Sequence, residues 1–290
     1  MLGSVYREIR EWLGVSDDNK TNRLRQQNNI SSSQPGSGKW LLDHTFFKEW
    51  LSDNGNGTFQ TLCLRGPPGT GKSFVCSRAI DHAIRQDKLC LYHFYYFDDR
   101  LADTSIRRGI SLNLRTAAVL VDQLLEHFCR KDRRLVIPVG RYIETTEISI
   151  MALQEIVRIM MGERGKALEE QQASEGSPPI RLYLFLDGLD GGSFASEALQ
   201  AASIFRSLQA QNSVIVRLWT SSQRSTGIDN YFGGHNIINL DDYAKIDIRD
   251  FVTSKVPKFN ESISKTHREN GKTCMQRNFK HQFSSYSRLI

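Results

Sequence analysis

The chain has 290 residues, of which 39% are hydrophobic and 24% are charged, as in ordinary folded domains. No apolar run approaches the roughly 20 residues that a membrane-spanning helix needs, and the first residues lack the apolar core of a signal peptide. The five scattered cysteines include no Cys-x-x-Cys pair, so they indicate neither a disulfide framework nor a zinc site. We therefore expect a cytoplasmic protein without a membrane partner.

The excess positive charge lies in the last part of the sequence. Residues 255–290 hold eight of the 38 Lys and Arg and two of the 32 Asp and Glu, which leaves 30 of each sign in residues 1–254. A basic surface that binds nucleic acid normally lies on one face of a folded domain, so we predict no specific nucleic-acid partner. We expect an N-terminal amphipathic helix and flexible linker (1–35), a folded domain (36–256) and a basic, disordered tail (257–290).

The elements are predicted from the spacing of apolar residues. Apolar residues recur at helical spacing over residues 1–14 and again over 39–51, whereas residues 15–38 are rich in Asn, Gln, Ser and Gly and predict a linker. Beyond them strands alternate with helices, with strands predicted at 61–65, 89–97, 181–190 and 214–222 and helices at 72–85, 112–130, 148–172, 197–210 and 247–256. The second strand is aromatic and uncharged, which is typical of a buried central strand. The alternation predicts an α/β three-layer sandwich with a mainly parallel central sheet and helices on both faces.

The segment GPPGTGKS matches the phosphate-binding P-loop pattern G-x-x-x-x-G-K-[ST], between a predicted strand and a predicted helix. Its glycines let successive N–H groups face inward as an anion-binding nest, to which the helix N-terminus adds positive charge. We expect Lys72 to reach the β- and γ-phosphates and Ser73 to ligate magnesium. The predicted ligands are ATP or GTP and Mg²⁺, and the fold class becomes that of a P-loop NTPase. The residues predicted to bind the nucleotide are Gly66, Pro67, Pro68, Gly69, Thr70, Gly71, Lys72 and Ser73.

Acidic and basic residues follow two later strands. Asp187 comes at the end of the run LYLFLD, where the carboxyl edge of the sheet would place it beside the magnesium. Asp190 could orient or deprotonate the attacking water, or it could cap the following helix. Arg224, at the end of WTSSQR, could contact the γ-phosphate, or it could be a surface loop arginine.

Taken in order, GSGKWLLDHTFFKEWL, LCLRGPPGTGKS, LYLFLDGLD and LWTSSQR resemble the NACHT-type NTPase domain of fungal STAND proteins, in particular its nephrocystin-3-like N-terminal subset. The resemblance covers roughly Gly36 to Val256. It ends in INLDDYAKIDIRDFV, which resembles the family's final strand and helix, with Asp247 and Ile248 at the position of the family's Asp-Ile pair. It implies a nucleotide-gated signalling switch that self-associates through the NTPase domain. It also implies that Lys72 binds phosphate, that Ser73 ligates magnesium and that Asp187 orients it.

The sequence departs from that family in two places. The family's acidic motif usually reads D-G-x-D-E, but here Gly191 replaces the last acid, so we expect nucleotide binding with slow hydrolysis. After Val256 no winged helix or sensor repeats are recognisable, so the chain resembles a truncated module. Two other functions stay open. The chain could be an ordinary P-loop ATPase or kinase, or a degenerate NTPase that serves only as a binding scaffold. The residues do not distinguish ATP from GTP.

Overall fold

In the part of the chain that the computed structural model describes, five strands form one all-parallel sheet. The described residues are 2–31, 37–52, 60–95, 112–171, 180–190, 194–208, 214–223 and 236–243, together with positions 245, 247 and 249. The strands are β1 (Gln60–Arg65), β2 (Leu89–Phe94), β3 (Ile180–Asp187), β4 (Val214–Ser222) and β5 (Asn236–Asn239). They lie in the order β2-β3-β4-β1-β5, which confirms the predicted α/β fold with a parallel sheet.

Helices cover both faces of this sheet. They are α1 (Leu2–Leu13), α2 (Ser16–Ser31), α3 (Lys39–Asp43), α4 (Thr45–Leu51), α5 (Lys72–Arg85), α6 (Leu112–Lys131), α7 (Val136–Ile143), α8 (Ile150–Gln171) and α9 (Phe194–Arg206). Alternate residues of strand β3 pack against the helix layers on opposite faces of the sheet. Leu182, Leu184 and Leu186 pack with α1 and α6 to α9 on one face. The intervening Tyr183 and Phe185 pack with α3, α4 and α5 on the other, as the two-residue period of a strand requires.

The N-terminal segment corrects one prediction and confirms another. The helix predicted over residues 1–14 is α1, whose Ile9 and Leu13 are fully buried in the core. The linker predicted over 15–38 is wrong for Ser16–Ser31, which form α2. Its buried side chains, Asn19, Asn22 and Gln26, are polar, so the pattern of apolar residues carries no sign of the helix.

Helix α2 is held to the body by polar contacts with α6. Asp18 pairs with Arg115, and Arg23 pairs with Glu126. The Asn19 side chain donates to the buried Asp122 carboxylate, which also pairs with Arg10 of α1 at 2.8 Å. Residues 2–31 therefore belong to the same folded body as the sheet.

Strand β2 lies at the edge of the described sheet, so its prediction as a central strand is wrong. Its free edge is bonded by side chains of α2 and α6 instead of by another strand. The Gln123 side chain accepts from the Tyr92 N–H and donates to the Tyr92 C=O, both at 2.8 Å. Asn22 accepts from the Phe94 N–H at 2.9 Å, and Arg25 donates to the Phe94 C=O at 3.1 Å. The aromatic side chains of Tyr92 and Phe94 pack with α3, α4 and α5, and the hydrogen-bonded edge is blocked against pairing with another chain.

Replacing Gln123 with alanine is expected to destabilise the protein by about 1–2 kcal/mol, because it leaves a partly buried N–H and C=O of Tyr92 without their partner. The measurement is the free energy of unfolding in urea. The control is Gln154→Ala, which removes an exposed amide bonded to Ser207. Equal stability of the two variants would show that the Gln123 side chain does not support the β2 edge.

The segment before the P-loop also differs in detail from its prediction. The helix predicted over residues 39–51 is broken at His44, which has extended backbone angles and accepts from the Phe46 N–H at 3.1 Å. It therefore forms the two short helices α3 and α4. After β5, helical conformation begins at Asp241, before the predicted start at Asp247. In the part of the chain that the structure describes, no helix has the length and apolar character to cross a membrane.

Candidate nucleotide-binding site

The end of β4 joins the loops that follow β1 and β3. The Gly66 N–H, at the start of the P-loop, donates to the Ser222 C=O at 3.3 Å. On the other side of β4, the N–H groups of Gly188 and Leu189 donate to the Ser221 C=O at 3.2 and 3.0 Å. Because β4 lies between β1 and β3, the P-loop and the acidic segment after β3 meet at the carboxyl edge of the sheet, where open α/β sheets bind ligands.

The segment Gly66–Ser73, predicted to be a P-loop, lies between β1 and α5, and two of its glycines have left-handed backbones. Gly69 has a φ of 77° and Gly71 a φ of 89°. Residues that have a Cβ adopt such positive values only at an energetic cost. Thr70 folds back over the loop, and its hydroxyl donates to the Pro67 C=O at 2.8 Å. Gly66 is favoured for a different reason, since a Cβ there would lie 2.7 Å from the Thr70 Oγ1 and 3.1 Å from the Leu240 Cβ, so that a neighbour would have to shift. Pro68 and Gly69 lie on the exposed rim.

The Lys72 side chain lies inside this loop. Only 8% of the residue is exposed, and its Nζ donates to the C=O groups of Gly66 at 2.8 Å and Pro67 at 3.0 Å. The same nitrogen lies 3.6 Å from Oδ2 of Asp190. The ammonium group is therefore fixed where the first turn of α5 would present it to a phosphate.

Asp187 is a buried carboxylate at the end of β3, with 2% of the residue exposed. The Ser221 hydroxyl donates to its Oδ1. Burial raises the pKa of Asp187 above its usual value, while hydrogen bonds from Ser221 and Ser73 and the charge of Lys72 act to lower it. Burial, with a contribution from Asp187, also raises the pKa of the neighbouring Cys76 thiol. The Asp187 carboxylate and the Ser73 hydroxyl are thus neighbouring oxygens of the kind that ligate metal ions.

These oxygens suit Mg²⁺, which is usually bound through one or two protein side chains together with phosphate oxygens and water. Within the described residues, no group of three or more His, Cys, Asp or Glu side chains could hold a metal ion by itself. A magnesium site here would therefore consist of Ser73, Asp187 and the oxygens of a bound phosphate.

Asp190 is held at both of its carboxylate oxygens. Oδ1 accepts from the backbone N–H of Gln223, just after β4, and Oδ2 faces Lys72. The structure therefore brings Lys72, Asp187 and Asp190 together. Arg224 and Gly191 lie outside the described residues.

Sequence reasoning missed the supporting role of helix α2 at this site. The Asn29 side chain donates to the Ser77 hydroxyl at 2.9 Å and to the Ser73 C=O at 3.4 Å. The Ser77 hydroxyl in turn donates to the Ser73 C=O at 2.8 Å. The first turn of α5 is thereby braced by a helix from the segment that was predicted to be a linker, and no sequence pattern indicates this contact.

A second cluster joins the segment before α3 to the segment after β5. The Asp247 carboxylate accepts from the Gly38 N–H at 3.0 Å and from the Trp40 Nε1–H at 3.1 Å. The Trp40 ring stacks on Tyr243, with centroids 4.1 Å apart. A Cβ on Gly38 would lie 3.2 Å from the Arg78 side chain of α5. The segments before α3 and after β5 are therefore joined to each other beside α5.

Comparison with known proteins gives one family match. A model of the family described as nephrocystin 3, N-terminal, matches residues 36–223, about two-thirds of the chain. The matched range begins before α3 and ends just after β4, so it contains the P-loop, Asp187 and Asp190. No curated protein and no solved structure matches the chain.

Proposed function

Because the chain belongs to the nephrocystin 3 N-terminal family, we propose that it is a NACHT-like signalling switch module that binds ATP or GTP with magnesium. The observation that supports this most directly is the meeting of three groups at the end of β4. They are the P-loop with its buried Lys72, the Ser73 hydroxyl and the Asp187 carboxylate. Each supplies something that binding a nucleotide with magnesium needs: Lys72 a cation, Ser73 a metal ligand and Asp187 a carboxylate that orients the metal.

The proposed roles follow from these contacts. The backbone N–H groups of the P-loop surround the β-phosphate, and Lys72 contacts the β- and γ-phosphates. Ser73 ligates magnesium and Asp187 orients it, with Ser221 holding the Asp187 carboxylate in place. Magnesium, when bound, neutralises phosphate charge. Arg224 is proposed to contact the γ-phosphate.

The test is equilibrium binding of ATP, GTP, ADP, GDP, AMP and GMP to the full chain by calorimetry, with and without magnesium. One nucleotide should bind per chain, and the monophosphates should bind at least about a hundredfold more weakly, because charge-assisted contacts to the β-phosphate are lost. Comparable affinity for AMP and ATP would mean that the P-loop does not bind the phosphates. Nucleotide-dependent assembly, followed by sedimentation velocity, tests the switch itself.

Hydrolysis is proposed to be slow because Gly191 stands where the D-G-x-D-E motif of the resemblance described above would place an acid. The variant Gly191→Glu is expected to raise the single-turnover rate of ATP or GTP hydrolysis by about tenfold or more, since a positioned general base typically contributes at least that much. Gly192→Glu, one residue along, is the matched control. An unchanged rate in Gly191→Glu would count against the missing acid as the cause of slow turnover. Transfer of phosphate to a small-molecule acceptor would instead favour a kinase.

A further inference from the structure

We propose that Asp190 regulates nucleotide binding by holding Lys72 in competition with the phosphate. This inference rests on the proposed function, because it concerns how the same site selects its ligand. It assigns Asp190 a contact with the P-loop lysine in place of a contact with the attacking water.

The contacts of Lys72 give the first argument. An ammonium group has three N–H donors. Two of them are used by the C=O groups of Gly66 and Pro67, and the Asp190 carboxylate faces the same nitrogen at 3.6 Å. The side chain of Lys72 is 9% exposed and that of Asp190 is 26% exposed, so water screens this ion pair less than a fully exposed one. A phosphate oxygen that contacts Lys72 has to displace at least one of these three contacts.

The anchoring of Asp190 gives the second argument. Its Oδ1 accepts from the backbone N–H of Gln223, which continues from β4, the strand that also anchors the P-loop through Ser222. The carboxylate is therefore fixed to the same sheet edge as the loop. It cannot move away from an incoming phosphate without losing that hydrogen bond, so its negative charge stays close to the phosphate.

The expected consequence is selection for the magnesium complex of the nucleotide. The fixed carboxylate repels a nucleotide in proportion to the negative charge on its phosphates. Magnesium neutralises part of that charge, so Asp190 should weaken the binding of metal-free ADP or ATP more than the binding of their magnesium complexes.

The experiment compares the wild-type chain with Asp190→Asn and Asp190→Ala by calorimetric titration of ADP in EDTA and in excess magnesium. Asparagine keeps an oxygen for the Gln223 N–H and removes only the charge. The matched control is Asp81→Asn, which removes a carboxylate paired with Arg85 further along α5. Asp81 lies nine residues from Lys72, roughly 13 Å along the helix, which exceeds the screening length of about 8 Å at physiological salt.

We expect both Asp190 variants to bind metal-free ADP about threefold to tenfold more tightly than the wild type, with a smaller gain in magnesium and no gain for Asp81→Asn. Variants that melt at the wild-type temperature but bind metal-free ADP equally or more weakly would overturn the role of Asp190. If the wild-type chain binds none of the nucleotides, the proposed function fails, and the role of Asp190 fails with it.

Discussion

Replacing Lys72 with alanine is expected to weaken the binding of ATP or GTP by at least about a hundredfold, since the lost contacts to phosphate are charge-assisted. The buried Nζ donates to two C=O groups of the P-loop, and no other described lysine makes these contacts. The same substitution should cause a small loss of stability without nucleotide, because those C=O groups and Asp190 lose a partner. The measurement is the dissociation constant from calorimetry.

The control for Lys72→Ala is Lys48→Ala, which removes an exposed lysine paired with Asp43 on the surface. Surface ion pairs of this kind contribute little to stability, so this variant should bind and melt like the wild type. If Lys72→Ala binds triphosphates as tightly as Lys48→Ala does, the P-loop is not the phosphate site.

Replacing Asp187 with asparagine is expected to weaken the effect of magnesium on nucleotide binding and to stabilise the protein without nucleotide. The gain in nucleotide affinity that magnesium provides should become smaller, because the neutral amide is a poorer ligand for this ion than the carboxylate, while Ser73 remains. Stability without nucleotide should rise at neutral pH by about 1 kcal/mol, because the substitution removes a buried charge. Asparagine keeps an oxygen that can accept from the Ser221 hydroxyl, so the packing at the end of β3 is preserved.

The direction of the stability change follows from the pKa of Asp187, which is raised in the folded protein chiefly by burial. A folded state that binds the proton more tightly than the unfolded state loses stability as the pH rises. The wild-type free energy of unfolding should therefore decrease as the pH rises from the pKa of an unfolded aspartate, about 4, to the raised pKa of folded Asp187. The difference between Asp187→Asn and the wild type should grow over that interval and then stay constant.

Urea unfolding at a series of pH values checks this, with Asp81→Asn as the control, because Asp81 is only partly buried. A variant Asp187→Asn that is less stable than the wild type at neutral pH would show that the carboxylate is stabilised in the folded protein. Unchanged magnesium dependence of nucleotide affinity in that variant would remove Asp187 from the proposed metal site.

The parts of the fold that sequence reasoning predicted are those with local signals. The glycine spacing of Gly66–Ser73 indicates a P-loop, and the apolar runs of β3 and β4 indicate buried parallel strands. Helix α2 has no such signal, because it is held by Asn19, Asn22 and neighbouring charged groups rather than by an apolar face. The prediction of β2 as a central strand is wrong for a related reason, since helices bury its aromatic residues as effectively as neighbouring strands would.

The candidate site divides in the same way. Lys72, Ser73 and Asp187 could be proposed from motifs, since each stands at a fixed place relative to a strand or helix. The bonds of Ser221 to Asp187, of Asn29 to the first turn of α5 and of Asp190 to Lys72 join residues that are far apart in sequence. They depend on the order of the strands, which a single sequence does not reveal. Arg224 lies outside the described residues, so its role stays a prediction.

Thermal unfolding of the full chain with and without nucleotide tests the central claim most directly. If the chain is a nucleotide-binding switch, saturating ATP or GTP with magnesium should stabilise it by about 2–4 kcal/mol, because a ligand that binds only the folded state raises its stability. The shift should disappear in Lys72→Ala. A wild-type chain whose unfolding is unchanged by both ATP and GTP, each with magnesium, would contradict the proposed function.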